Sequence, residues 1–507
     1  MAEKEAGSVD TSYGFGGLRI PRYRTAMVQV TLVGLFAFCT VKKRARNLTA
    51  PLPRPFLFPH LTIHRGMSNA LGGAGGGGLL NTTQSTNANV AVYATFSALA
   101  FVGGTIYNRL GIKLCLAFGG VGYACLASAY LATSRIGERA MPWVVTAGCL
   151  EGLSAAMLWT AVGAVTMCYP TEETKGKAFS IFWTIFEMGG VIGSIIPICM
   201  NWSSSSDNLD DGSYIAFIVI MLCGCFIPLL LIPSDQVIRI DGSQVVLPQM
   251  PTWRTEIKGM YHVLQQNIWV LTLFPFFAAS NWYYTYQAND FNVPNFTLRT
   301  RFFNGLWSNF FSMVGVWVMG TFLDGTFKVI HIDRPMRARL GIIFLFISTF
   351  VTWGSGWLFA MHSKRGQSPV PLIDLEETHR YVPYGAIYIA FAFYDGCFQS
   401  YANWILGSLS NNSATLSHYA GWYRSIQSAA SAVVWRLDGL DISYRSMYIS
   451  TWCILIISVT TTFYVAFLKV EGHSADEVTP SHDTSLMNKP ELKSNTEPKI
   501  NSKSDEK

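Results

Sequence analysis

Charge is scarce in this chain. Only 13% of its 507 residues are Asp, Glu, Lys or Arg, while 50% are apolar, so there are too few polar side chains to coat a water-soluble surface. Long polar stretches are scarce as well. Apolar segments close to the roughly 20 residues that cross a hydrocarbon layer recur from Thr25 to Leu468. A soluble fold is excluded on both counts, and a lipid bilayer is the expected partner.

Catalytic signatures are missing too. There is no nucleophile elbow, no His-Glu-x-x-His metal motif and no dinucleotide fingerprint. The glycines from Gly72 to Gly78 follow no strand and precede no Gly-Lys-Ser or Gly-Lys-Thr, so they are not a phosphate loop. They suit tight helix packing or an unwound segment lining a central cavity. The ten cysteines fall in apolar segments, and the one close pair, Cys223 and Cys225, points about 200° apart on a helix. Neither a metal site nor a disulfide framework is expected, nor any cofactor or catalytic residue, and the chain is read as no enzyme. The net charge of +6 gathers on no single module, so no nucleic-acid partner is expected. No small-residue cleavage site follows the first apolar stretch, which is expected to remain as an anchor.

What is present is a succession of membrane spans. Low-charge windows place six helices near residues 25–40, 88–108, 114–133, 141–168, 177–200 and 213–233. Six more are placed near 267–287, 302–323, 340–361, 382–409, 417–435 and 443–468. Between the sets, Asp235, Arg239, Asp241, Arg254, Glu256 and Lys258 bring too much charge for lipid. The expected organisation is a cytosolic tail over 1–22, a six-helix bundle over 23–233, a cytosolic linker over 234–266, a second bundle over 267–468 and a disordered cytosolic tail over 469–507. With both termini in the cytosol, Arg19, Arg22, Arg24, Arg109, Lys113, Lys175, Lys177, Arg254, Lys258, Lys328, Arg334, Arg337 and Arg339 lie on that side. The positive-inside rule agrees. The opposite loops hold fewer basic residues, such as Arg135, Arg139, Lys364 and Arg365.

The halves share a local pattern. Gly104-Thr-Ile-Tyr-Asn108 stands at the expected end of the second helix and Gly320-Thr-Phe-Leu-Asp324 at that of the eighth, which suggests a repeated six-helix unit. There a short polar residue can cap and a glycine permits close helix contact. The stretch Gly104 to Lys113, with Asn108, Arg109 and Gly111, resembles the loop motif of the major facilitator superfamily. That resemblance implies an all-α integral membrane fold of about 12 helices in two six-helix bundles. The superfamily's loop charges help latch the bundles in one state of the transport cycle. Asn108 stands here in place of the usual acid, and Asp324 can supply one in the second half.

A second set of residues resembles the uncoordinated-type (Unc ninety-three-like) family in its fungal form. The set comprises Gly66-Met-Ser-Asn-Ala-Leu71, Leu158-Trp-Thr-Ala161, Tyr169-Pro170, Lys175-Gly176 and Val191-Ile-Gly-Ser194 in the first half. The second half adds Ser280-Asn-Trp-Tyr-Tyr-Thr-Tyr-Gln287, Arg299-Thr-Arg301, Tyr394-Asp395, Leu409-Ser-Asn-Asn412, Ile426-Gln-Ser428 and Trp435-Arg436-Leu437. Members are multi-pass proteins mostly without an established substrate, and some animal members look like channel regulators or trafficking chaperones. The chain departs from the family at residues 41–65, where six basic residues and four prolines intervene. No helix of that composition spans lipid. The segment is expected to be an unremoved intron, with a genuine loop carrying an Asn47 sequon as the alternative.

Four ionisable residues stand out inside expected helices: Glu151, Glu187, Asp395 and Arg424. Such groups usually face a bundle interior, a partner or a water-filled path. Asp395, Gln399 and Asn403 form one stripe at spacing four, and Arg424 shares a face with Gln427. Asp395 is expected to pair with Arg424, either as a static tie or as a bond that protonation or substrate binding breaks. Trp282, Tyr283, Tyr284 and Tyr286 suit membrane-interface anchoring or stacking on an organic solute. Asn81, Asn201 and Asn295 begin sequons expected on the non-cytosolic side, and Asn411 one on the cytosolic side. Two functions follow as expectations. One is a transporter that moves a small solute by alternating access, with a proton or another coupling ion. The other is a non-transporting regulator or chaperone with a membrane-protein partner. No targeting motif separates plasma membrane from endomembrane.

Overall fold

The computed structural model describes residues 12–15, 18–21, 65–79, 82–170, 175–201, 208–231, 237, 252–325, 332–361, 364–365, 371–410 and 413–471. The first expected helix, nearly all of the 41–65 segment with Asn47, Asn81, and the tail beyond 471 lie outside them. A two-stranded antiparallel hairpin, β1 (Ser12–Phe15) with β2 (Leu18–Pro21), is a small addition to the all-helical expectation. The remaining named elements are helices.

In the first half these are α1 (Arg65–Gly73), α2 (Thr83–Ala100), α3 (Gly103–Ile136), α4 (Met141–Cys168), α5 (Lys175–Asn201) and α6 (Asp211–Gly224). An amphipathic helix, α7 (Trp253–Gln266), follows within the linker and buries Glu256, Met260 and Val263 on one face. The second half contains α8 (Phe274–Thr285), α9 (Leu298–Leu323), α10 (Arg334–Ala360), α11 (Thr378–Ser408), α12 (Ser413–Asp438) and α13 (Tyr444–Leu468). Local chemistry sets several starts. Asp210, Thr252 and Ser443 accept a backbone N–H at the first turns of α6, α7 and α13, and Pro142, Pro275 and Pro335 occupy first turns of α4, α8 and α10.

Six helical stretches among the described residues are long and apolar enough to cross a membrane, or seven if the bent pair 253–266 and 268–295 counts as one. One of the six runs from Arg109 to Gly163 and so contains two helices. The helices α2, α11 and α12 are not among them, because they carry buried polar groups such as Gln84, Asp395, Gln399 and Gln427. Two apolar cores form, one built mainly from residues 71–237 and one from 263–470. The first also takes in Leu298, Phe302 and Val316 of α9. The halves meet along α5 against α9 and α2 against α12.

The second helix does not run to residue 108 as expected. It stops at Ala100, and the chain turns at Phe101 and Val102 before α3 begins at Gly103. That break leaves backbone N–H groups without helical partners, and Glu256 supplies the acceptors. Its carboxylate accepts from Gly104 N–H at 2.7 Å and from Thr105 N–H at 2.6 Å. A side chain at Gly104 would collide with Glu256 Oε1, so this glycine makes room for a carboxylate rather than for a neighbouring helix. Asp324 does the same at the start of α5, accepting from Gly176 N–H at 3.1 Å and Lys177 N–H at 2.6 Å. A Cβ at Gly176 would likewise meet the Asp324 carboxylate. Gly111 takes a positive φ of 73° where the chain turns within α3, and Arg109 is exposed. Lys113 donates to the Leu229 carbonyl. The Asn108 side chain lies outside the described residues. Gly320 packs against Ser180 of α5.

At the other end of α9, about 35 Å from Asp324 at 1.5 Å per residue, the glycine run closes on Arg301. Gly75, Gly76, Gly77 and Gly78 all adopt positive φ, the conformation glycine enters without a Cβ penalty. The resulting turn aims carbonyls inward. Arg301 Nε donates to Ala74 O at 2.6 Å, and Nη2 donates to Gly75 O at 2.6 Å and Leu79 O at 3.3 Å. Its neighbour Arg299 pairs instead with Asp374.

Replacing Arg301 with Ala leaves those carbonyls buried without the donor, a loss on the order of 3 kcal/mol. A clear fall in the thermal midpoint in detergent is the expected reading, with Arg301→Lys recovering only part of it because it lacks the fork. A second prediction concerns Asp324, which burial pushes up to about 6 against the two amide hydrogen bonds. An acid with a higher pKa docked than free binds its proton more tightly when docked, so acidification from neutral pH through 6 toward 3.8 favours the docked state. Labels at Lys177 and Thr321 should draw together as the pH falls through that window, and Asp324→Asn should remove the dependence.

Candidate functional site

Between the halves lies a cavity of about 200 Å³. Glu151 and Glu187 reach it from α4 and α5, Asp395 and Gln399 from α11, and Arg424 and Gln427 from α12. The structure thus brings together on one wall system six residues that lie as far apart as 151 and 427 in the chain. Each acid is buried, with exposures of 6% for Glu151, 4% for Glu187 and 6% for Asp395.

The expected Asp395–Arg424 pair does not form. Asp395 Oδ1 accepts from Tyr283 Oη at 2.5 Å and from Tyr284 Oη at 2.7 Å, both on α8. Arg424 donates to Gln427 Oε1 at 2.8 Å and lies over the rings of Trp159, 4.3 Å away, and Tyr423 at 4.8 Å. The reason is steric and electrostatic together. Two phenols already meet the carboxylate, and an indole of the other half offers the guanidinium a flat electron-rich face. The same contacts correct the reading of the aromatic cluster as interface anchors: Tyr283 and Tyr286 are buried, and Tyr284 lines the cavity.

The polar stripe of α11 is part of this network. Gln399 Nε2 donates to Ser280 O at 2.8 Å, and its carbonyl accepts from Tyr423 Oη at 3.0 Å. Gln427 Nε2 donates to Ser280 Oγ and Asn281 Oδ1. Asn403 turns back on its own helix, donating to Gln399 O. Glu187 crosses between halves, accepting from Ser312 Oγ of α9 at 3.3 Å, and Ser312 Oγ accepts from Trp183 Nε1 at 3.2 Å. Gly72, Gly73, Gly76 and Gly77 form part of the wall, which answers the expectation of an unwound glycine segment there.

A second polar cluster was not singled out in the sequence. Arg365 Nη2 donates to Asp290 Oδ1 at 3.0 Å and Asp438 Oδ1 at 2.6 Å, with both acids buried. Asn289 joins it to the glycine turn, donating to Asp438 Oδ2 at 2.8 Å and accepting from Gly76 N–H at 3.1 Å. Asn289 and Asp290 sit in a π-helical segment, Tyr286–Asn292, that continues α8, a backbone irregularity often found at functional sites. The extension explains a further correction. Residues 293–295 remain helical rather than looped, and Asn295 is buried and donates to Phe291 O. The Asn201 side chain lies outside the described residues.

Comparison with known proteins places this architecture. The family profile described as "Ion channel regulatory protein UNC-93" matches residues 83–288. An UNC93-like protein of Schizosaccharomyces pombe is 40% identical over 408 residues, 80% of this chain and 80% of that protein. UNC93-like protein 1 of Arabidopsis thaliana is 31% identical over 458 residues, covering 90% of this chain and 93% of the relative. Among solved structures, the major facilitator superfamily proton:xylose symporter XylE superposes with a TM-score of 0.54 at 10% identity, over 89% of this chain and 97% of that one. A bacterial homologue of the iron transporter ferroportin gives 0.50 at 10% identity, over 87% and 98%. Two apolar cores, a seam cavity and this breadth of identity lead to one conclusion: the chain belongs to the UNC93-like family and is a multi-pass membrane protein with the major facilitator superfamily fold.

Proposed function

We propose that the protein is a secondary transporter that carries a small solute through the seam by alternating access, coupled to a proton or another ion. The observation that carries this reading is the cavity itself: polar and ionisable groups of both halves converge there. Besides the contacts at the cavity, ties between the halves stand at both ends of the seam. Arg301 and Asn289 hold the glycine turn at one end. Asp324 and Glu256 hold helix starts at the other. Releasing one set while keeping the other is what alternating access demands. With the termini in the cytosol, the Asp324 end faces inward, and the latch sits in the second-half motif with Glu256 added from the linker. The domain boundaries at 1–22, 23–233, 234–266, 267–468 and 469–507 belong to the same reading.

Asp395 is the coupling residue in this scheme, with Glu187 its counterpart across the seam. The description of the matching profile as an ion channel regulatory protein favours a second reading, a regulator that binds another membrane protein and moves nothing.

Profiling solutes inside and outside cells that lack the protein and cells that overproduce it separates the two. A solute shifting in opposite directions supports transport; no reproducible shift together with stable co-purification of a membrane protein supports regulation. Once the solute is known, Asp395→Asn should lower flux about tenfold or more and flatten its pH dependence. A full rate with an unchanged pH profile would remove Asp395 from coupling.

A further inference from the structure

We infer that the solute is a small organic cation carrying a hydroxyl or carbonyl group, an inference that rests on the transporter reading above. Three features of the cavity converge on that class. The first is its charge. Glu151, Glu187 and Asp395 line it against the single guanidinium of Arg424 among the described residues. Buried carboxylates out of water are stabilised by a cation and destabilised by a further anion. A positively charged solute therefore offsets the wall, and a negatively charged one adds to its excess.

The second feature is the aromatic surface. Arg424 already demonstrates how a cation rests here, with its guanidinium carbon 4.3 Å from the Trp159 ring centroid. Trp183 and Tyr284 line the same cavity. Aromatic faces attract ammonium and guanidinium groups most strongly where water is excluded, and they do not attract carboxylates in that way.

The third feature is an unmatched polar group. Gln287, in the π-helical segment, lines the cavity with 7% exposure, and its Nε2 has no hydrogen-bond partner among the described residues. Buried donors are nearly always matched, so a solute oxygen in reach of Gln287 completes the site. At about 200 Å³ the space falls below the 300–1,000 Å³ or so typical of drug-sized ligands, which limits the solute to a compact molecule.

Binding to the full chain in nanodiscs, read by tryptophan fluorescence, tests this. The probes are choline, ethanolamine, tetramethylammonium, the neutral carbon isostere of choline and a carboxylate of equal size. Choline or ethanolamine is expected to bind about tenfold or more tighter than the carbon isostere and the carboxylate. Gln287→Ala should weaken choline about threefold or more while leaving tetramethylammonium unchanged, the signature of a lost hydroxyl contact. Glu187→Gln should weaken all the cations and spare the isostere; if that variant does not fold, the probe series on the unaltered protein decides alone. Equal or tighter binding of the isostere or the carboxylate overturns the inference, as does absence of cation binding up to about 10 mM. Uptake into proteoliposomes separates this inference from the reading beneath it. A cation that binds without flux sinks transport and keeps the ligand class. Flux of only neutral or anionic solutes keeps transport and sinks the cation.

Discussion

A charge inside hydrocarbon has to find a partner, and in this fold several of those partners lie across the seam between the halves. Arg301 of α9 is held by carbonyls that follow α1. Glu187 of α5 is met by Ser312 of α9, and Arg424 of α12 by Trp159 of α4. Of these groups, Glu187, Ser312, Arg424 and Trp159 also line the cavity between the halves. Under the transporter reading, opening either end would exchange these partners for water.

Glycine makes that arrangement possible in two distinct ways. At residues 75–78 it supplies a positive φ, bending the backbone so that its carbonyls face a guanidinium. At Gly104 and Gly176 the backbone is helical, and what matters is the missing Cβ, which lets a carboxylate reach the open N–H groups of a helix start. Helix starts favour negative charge, so Glu256 and Asp324 are suited to both docks. The linker is consequently a structural member of the seam, packed by Trp422 Nε1 donating to Met260 O, and the break in the second helix is the feature that lets it act.

The aromatic residues of α8 show how one helix serves two purposes. Tyr283 and Tyr284 lend their hydroxyls to Asp395 while their rings pack against each other 4.8 Å apart. Neutral donors at that position leave Arg424 available for the opposite wall. The continuation into a π-helical segment then turns Gln287 toward the cavity and Asn289 with Asp290 toward the cluster around Arg365.

The membrane class, the two-bundle helical architecture and the residues worth attention are legible in the chain alone, because hydropathy and the cost of a buried charge are local properties readable from composition. The sequence places helix four at its observed bounds, 141–168, and it marks six residues that the structure finds around one cavity. It does not determine which of them touch. Spacing along a helix fixes a face but not the face opposite, so it points Asp395 to Arg424, whereas the donors that meet the carboxylate are two tyrosines. Arg365 read as a loop charge and Glu256 as linker polarity, since their partners lie 73 to 152 positions away in the chain. Asn295 read as a sequon in a loop because apolarity fades before the helix ends. Only the tertiary structure decides such pairings, for a hydrogen bond depends on ångström-scale distance and direction that sequence separation does not encode.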